Sequence, residues 1–332
     1  MEFRNCRIIG SGKYLPKRLV SSNEIDKKIG APSGWSEEKS GVRVRHFIEN
    51  ETASFMATQA INDALRDANL DGAEIGCIIG TSGTMEQPIP CNAALIQQEM
   101  GLGKSGVTCF DVNSTCLSFL VGLDLASYLI EAERYQNILL VASDISSVGL
   151  NWGQNESCVL FGDGAAAVII GKARYNESGK VIASRIETYS EGARFSEIRG
   201  GGSRCHAREY SNNTKEDFLF DMNGKAIFKL ASELMEGFVS RLFEPGKFSI
   251  ADMDMIIPHQ ASRMAMTLIR KRLGIREEKF MSIIEDHGNV IAASLPMALH
   301  EAIKQQRVAR GDKIMLLGTS AGLSFGGIVL EY

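Results

Sequence analysis

The sequence predicts a layered α/β protein built from two similar halves. Two observations carry this reading. Short apolar runs such as "NILLVAS" and "AAAVIIG" alternate with helix-length segments. Runs without polar alternation read as strands buried on both faces, which argues for mostly parallel sheets covered by helices. The order of segments also repeats. "AEIGCIIGTSG" (73–83) is matched by "ADMDMIIPHQA" (251–261), each a strand following a helix-like stretch. The helix "CNAALIQQEMGLG" is matched by "ASRMAMTLIRKRLGI". The strand and loop "GVTCFDVNSTC" is matched by "KFMSIIEDHGN". Helices "LSFLVGLDLASYLIEAE" and "AASLPMALHEAIKQQ" follow, then strands "QNILLVASDIS" and "DKIMLLGTSAG". The halves close on "AAAVIIG" and "GGIVLEY". The polar stretch "GKARYNESGK" separates a first half, 1–175, from a second, 176–332. Residues 187–217 show little periodicity and read as a surface excursion, a flap over an entrance.

Composition narrows the classes of function. Of 332 residues, 44% are apolar and 23% charged, as in ordinary globular proteins and unlike disordered ones. A net charge of -4 argues against general nucleic-acid binding. No apolar run reaches membrane-spanning length, and "MEFRNCRIIGSG" lacks the ordered regions of a signal peptide. The expectation is a cytoplasmic protein with no membrane partner. Seven cysteines, an odd number without a CxxC pair, suggest neither a disulfide framework nor a zinc knuckle. Cys77 and Cys158 lie in strand-like runs and read as small buried hydrophobes. No HExxH or EF-hand pattern occurs, so no metal is expected. "FGDGAAAVII" and "GTSAGLSFGG" are glycine-dense, but neither ends as a phosphate loop nor opens a helix. Small residues there allow close strand packing.

Three residues stand out at strand ends, where open α/β sheets place their ligands. Cys116 ends the polar segment "DVNST" just where a helical pattern begins. A free thiol titrates near ~8.5, and a helix N-terminus lowers that value, so an acyl-accepting nucleophile competes with a buried structural thiol. His259 follows the strand "MDMIIP" and is suited to donating a hydrogen bond to a carbonyl or relaying a proton. Asn289, in "EDHGN", precedes an apolar helix. It reads either as a cap or as an amide donor to a developing enolate. An offset of 173 residues lays Cys116 on Asn289, which gathers the three into one cavity. Backbone N–H groups of Cys116 and Ala321 are candidates for an oxyanion hole. His287 is a candidate orienter of Asn289, and His300 reads as a surface or cap residue on a helix.

Several separated segments together resemble the β-ketoacyl-acyl-carrier-protein synthase III family of thiolase-fold condensing enzymes. They are "GSGKYLP", "SGVRVRHF", "FDVNSTCLSF", "FGDGAAAV", "IIPHQAS" and "HGNVIAASLPMAL", spread over essentially the whole chain. The resemblance implies a thiolase-like α-β-α-β-α body and a catalytic set of Cys116, His259 and Asn289. It implies acyl transfer from a coenzyme A thioester to Cys116. Decarboxylative condensation with malonyl-acyl-carrier protein then gives a 3-oxoacyl thioester, without metal or organic cofactor. The partners it implies are acyl-coenzyme A, acyl carrier protein and a second copy in a homodimer.

The resemblance also places Trp35 on the adenine of coenzyme A and the basic run Arg270, Lys271 and Arg272 on the acidic carrier. Three positions depart from the family pattern. Asn155 and Lys39 stand where arginines are common, and Ser262 replaces an asparagine. Losing a planar, forked cation weakens or changes coenzyme A recognition. That points to an unusual coenzyme A ester or a carrier-bound acyl donor. Ile89 stands where an aromatic often closes the acyl pocket from the partner subunit. Alternatives are acyl transfer from Cys116 to an alcohol or amine, or a non-catalytic partner subunit.

Overall fold

The computed structural model describes residues 3–174 and 177–332. The boundary expected between 175 and 176 therefore lies outside the described residues. The first part runs through β1 (Arg7–Tyr14), β2 (Arg18–Ser21), α1 (Ser22–Ile29), α2 (Trp35–Ser40), β3 (Val44–Phe47) and α3 (Ala53–Ala68). It continues through β4 (Cys77–Gly80), α4 (Asn92–Glu99), β5 (Thr108–Asp111), α5 (Ser118–Glu131), β6 (Asn137–Asp144), α6 (Asn155–Cys158) and β7 (Gly164–Gly171). The second part comprises β8 (Lys180–Thr188), β9 (Ser196–Glu197), β10 (Asp221–Met222), α7 (Gly224–Phe243) and β11 (Met255–Pro258). Then come α8 (Arg263–Arg272), α9 (Ile284–His287), α10 (Ser294–Lys304), β12 (Lys313–Ser320) and β13 (Ser324–Glu331).

One sheet has the order β1-β7-β6-β4-β5 and the other β11-β12-β13-β8. Five layers result. α5 and α10 fill the middle: Phe119, Leu123, Leu295 and Leu299 share one core with inward residues of both sheets. α3 and α4 cover the outer face of the first sheet. α7 and α8 cover that of the second. Strands β6 and β7 are buried almost throughout, which explains their unbroken apolar runs. α3 is capped by Thr52, whose hydroxyl accepts from the Phe55 amide at 3.1 Å, and it ends at Asn69 with φ 53°. Its small residues Ala60 and Ala64 let it lie against β1. A Cβ at Gly12 would sit 2.2 Å from the Ala60 carbonyl oxygen, so only glycine fits.

Several expectations change. The sheets are mixed: β4 is parallel to β5 and β6, and β11 to β12, while β7 and β13 return antiparallel to their neighbours. The link from β12 to β13 is only a tight turn, and parallel pairing needs a long crossover. The segment "KFMSIIEDHGN" is not a strand. Phe280 makes one bridge to Ile256, after which the Gln260 side chain intercepts the backbone. It accepts from the Ile283 amide at 2.8 Å and donates to the Met281 carbonyl at 3.3 Å, and α9 follows. Cys158 closes the short helix α6 rather than a strand. His300 is buried, within 3.0 Å of the Ser11 hydroxyl. Residues 187–217 begin in β8 and then run through short 3-10 turns and β9, largely exposed.

The internal repeat has a different register from that read in the sequence. Asn113 and Asn289 each accept the amide two residues on, Thr115 or Ile291, at 2.9 Å. Thr115 and Ile291 share a left-handed backbone, with φ 50° and 47°. Ser118 and Ser294 each accept the amide four residues before, and each opens a helix. These pairs are 176 residues apart, as are the starts of β6 and β12. The counterpart of Cys116 is therefore Ala292, and that of Asn289 is Asn113.

Candidate active site

Cys116 sits in a 3-10 turn, Thr115–Leu117, that runs straight into α5. Two side chains fix the turn. The Asn113 oxygen accepts from the Thr115 amide, and the Ser118 hydroxyl accepts from the Ser114 amide and donates to the Thr115 carbonyl at 2.7 Å. A β-branched residue at positive φ stores strain, typically ~1–3 kcal/mol, and such strain gathers at functional sites. Cys116 keeps some accessible surface. The expectation of an acidified thiol is not met in the resting state. Burial, helped by the charge of Asp144, pushes the thiol up to about 12, and the hydrogen bond from its own amide offsets only part of this.

His259 extends the β11 ladder, its amide donating to the Leu317 carbonyl at 2.8 Å. The side chain is buried, and Nδ1 has no hydrogen-bond partner among the described residues. Burial holds the imidazole down at about 4, so it is neutral at physiological pH. Gly318 of β12 is where His259 and the Cys116 turn meet. A Cβ there would lie 2.9 Å from the His259 Cβ and 3.0 Å from Leu117 Cδ2.

Asn289 is tied by its backbone to the stretch before β7. Its amide donates to Leu160 at 2.8 Å and its carbonyl accepts from Gly162 at 3.1 Å. Its side chain fills the capping role read from sequence. Oδ1 caps the Ile291 amide, which fixes the orientation of the carboxamide and turns Nδ2 the other way. Nδ2 donates a longer bond, 3.4 Å, to the carbonyl of Ala261, two residues after His259. Thr115 and Ile291 both press on Gly83, whose Cβ would meet Ile291 Cγ2 at 2.5 Å and the Thr115 oxygen at 3.2 Å. The segments carrying Cys116, His259 and Asn289 thus converge on one place between the sheets.

Other expected residues are more scattered. Ala321 lies in the turn between β12 and β13. Trp35 opens α2 and packs in a small apolar cluster with Trp152. Lys28 lies 3.4 Å from the Trp152 ring centroid, beside a groove of about 470 Å³ lined by Trp152, Asn151 and Lys215. Lys39 is exposed next to Glu38, and Asn155 is exposed at the start of α6. Ser262 caps α8 by accepting from the Ala265 amide at 3.2 Å. Ile89 is 84% exposed. Arg270 pairs with Glu277 at 3.4 Å, Arg272 donates to the Ser232 carbonyl, and Lys271 is exposed. His287 is bound to Lys13 at 3.1 Å through Nε2 rather than to Asn289. Sequence reading missed Asp144, Gln260 and Gly318. Asp144 left a trace: it is the one charged residue in the otherwise apolar run "NILLVASD".

Burial of the two histidines has a measurable consequence. His259 and His287 each fall from 6.5 to about 4 in the folded state. Below pH 6.5 the unfolded chain takes up protons that the folded chain refuses. The stability is present above 6.5 and is lost as pH falls through about 4. Melting temperature should drop over that window, and His259→Gln should flatten the drop. A melting temperature constant from pH 7 to 4 would contradict the neutral, buried imidazoles.

The five layers, the mixed sheets and a thiol, an imidazole and a carboxamide at their junction define a thiolase-fold condensing enzyme. Comparison with known proteins narrows this. Residues 110–190 match the 3-oxoacyl-[acyl-carrier-protein] synthase III family, and residues 244–332 match its C-terminal region. The chain is 33% identical over 326 residues to the β-ketoacyl-[acyl-carrier-protein] synthase III of Aquifex aeolicus, covering 98% of this chain and 99% of that protein. The Aquifex aeolicus VF5 crystal structure superposes with a TM-score of 0.88 at 31% identity, covering 98% of this chain and 100% of that one. The priming β-ketosynthase of the R1128 polyketide pathway superposes with a TM-score of 0.88 at 26% identity, covering 99% and 97%. The chain belongs to the 3-oxoacyl-[acyl-carrier-protein] synthase III family of acyl-transferring condensing enzymes. Among the described residues, no helix is long and apolar enough to cross a membrane.

Proposed function

We propose that this enzyme condenses an acyl thioester with malonyl-acyl-carrier protein, with loss of carbon dioxide. Cys116 attacks the acyl carbonyl, and its proton passes through His259 to the departing thiolate as the old carbon–sulfur bond breaks. Backbone N–H groups of Cys116 and Ala321 hold the charge on oxygen during this step. In the second half, the malonyl carbon–carbon bond breaks and leaves its electron pair in an enolate. That carbon attacks the acyl-Cys116 carbonyl, and the sulfur leaves as the 3-oxoacyl thioester forms.

Decarboxylation needs no base; it needs neutral donors that strengthen as enolate charge grows. The single observation that carries the reading is the neutral His259 beside an Asn289 whose oxygen is already engaged. Both side chains then offer N–H groups rather than charge. The two-half division at 175/176 belongs to the same reading, supported by sheets drawn from residues 7–171 and 180–331.

Substrate recognition is part of the proposal. Trp35 binds the adenine of coenzyme A, with Lys39, Asn155 and Ser262 around it. The cation on Trp152, Lys28, partly replaces the arginine that Asn155 lacks. Arg270, Lys271 and Arg272 receive acyl carrier protein, with Lys271 the freest to do so. β5 is an edge strand with exposed Thr108 and Asp111, and the exposed Ile89 and Met85 follow β4. Pairing of this edge with a second copy forms a homodimer and sends Ile89 into the partner's acyl pocket. A monomer in sedimentation would remove that part.

The test offers coenzyme A and carrier-bound acyl donors of several chain lengths with labelled malonyl-carrier protein. The expected result is an acyl adduct on the protein and one carbon dioxide per 3-oxoacyl product. An ester or amide product without carbon dioxide would replace condensation by simple transfer. A strong, general preference for coenzyme A donors would reject the idea that the departures favour the carrier.

A further inference from the structure

Asp144 ends β6 with no exposed surface, at the place where the two halves touch. Its Oδ1 accepts from the amides of Gly83 and Thr84, each at 2.8 Å, and from the Thr84 hydroxyl at 2.9 Å. Its Oδ2 accepts from the Ala293 amide at 3.1 Å, in the 3-10 turn that follows Asn289. One carboxylate therefore binds the loop after β4 to the turn before α10. Gly83 lies directly against both Thr115 and Ile291, so this clamp sets the spacing of the walls around Cys116. The charge of Asp144 acts on the Cys116 thiol. The next carboxylate, Asp163, is engaged by the amides of Ile48, Ser146 and Ser147. The turns around Asp144 bring no lysine or arginine to neutralise it.

We propose that Asp144 is a positioning residue for the condensation. It holds the Gly83–Thr84 loop and the Ile291–Ala293 turn in place around the nucleophile. Burial is the first cause of the protonated Cys116 thiol, and the negative charge of Asp144 adds to it. A charge of the same sign nearby disfavours the thiolate, and hydrogen bonds to the carboxylate favour its ionised form. Burial raises Asp144 itself to about 6, so it carries its charge at pH 7 and above. The resting thiol is thereby spared oxidation and stray alkylation, which need thiolate. The inference rests on the nucleophile reading of Cys116.

The experiment measures alkylation of Cys116 by iodoacetamide at pH 8.5, read on the Cys116 peptide by mass. Asp144→Asn keeps the shape and removes the charge. It should speed alkylation by more than about twofold, since removing a neighbouring negative charge favours the thiolate. It should also lower 3-oxoacyl product formation, because an amide cannot accept at both positions. Asp144→Ser serves the same purpose if the first variant does not fold. Thr84→Val breaks one bond of the clamp but keeps the charge, and its alkylation rate should stay within about twofold of the parent. An unchanged or slower rate in the neutral variants would overturn the proposal, as would an equal acceleration in Thr84→Val. A parent protein that alkylates at Cys116 but accepts no acyl group would instead remove the nucleophile reading, which the alkylation arm does not use.

Discussion

Cys116→Ala is expected to take up no acyl group at all. After incubation with an acyl-coenzyme A thioester, intact-protein mass should shift for the parent and stay fixed for the variant. The geometry leaves no substitute. Cys6, Cys77 and Cys158 are buried, and Cys91, Cys109 and Cys205 lie outside the segments that meet at Cys116, His259 and Asn289. The substitution should spare folding, because it removes one sulfur from a partly accessible site whose turn is held by Asn113 and Ser118. Condensation should fall to background. Decarboxylation of malonyl-carrier protein should survive in part, since His259 and Asn289 remain. An acyl adduct of normal size on the alanine variant would sink the assignment.

The second large effect belongs to Asn289, and it separates the two roles of one side chain. Removing a single donor to a developing oxyanion costs ~10²–10³-fold in rate, so Asn289→Ala should lose that much decarboxylation. It should also lose about 1 kcal/mol of stability, because Oδ1 caps the Ile291 amide. Asn289→Asp is the sharper test. It keeps a capping oxygen and nearly the same volume, but replaces the N–H donor with a carboxylate oxygen. Melting should fall, because the new oxygen faces the Ala261 carbonyl, while decarboxylation falls at least as far as in the alanine variant and acylation of Cys116 is largely spared. Normal decarboxylation by Asn289→Asp would reduce Asn289 to a structural cap.

Much of the fold was legible because burial leaves a mark on composition. β6, β7, β12 and β13 read as strands from their apolar runs, and α5 and α10 as the helices beside them. The segment 280–290 was misread because its competitor is a side chain from elsewhere. Gln260 takes up the backbone groups that a strand would have used, and no local pattern in "KFMSIIEDHGN" reveals that. The repeat was visible but three residues out of register. The true markers are Asn113 with Asn289, Thr115 with Ile291 and Ser118 with Ser294, which share hydrogen bonds and backbone sign. Neither property is written in residue type alone. His300, placed at the surface from its helix, is buried because α10 lies in the middle layer.

The candidate site divides in the same way. Residue order specifies which side chains are available: a thiol where a helix begins, an imidazole after a strand, and a carboxamide before a second helix. Through its separated motifs it also determined the family they resemble. Their ionisation state comes from the folded surroundings. A thiol near 12 and an imidazole near 4 are set chiefly by how much protein surrounds them, and by a carboxylate from β6. Desolvation and charge act through space, and the atoms responsible come from segments far apart in the chain.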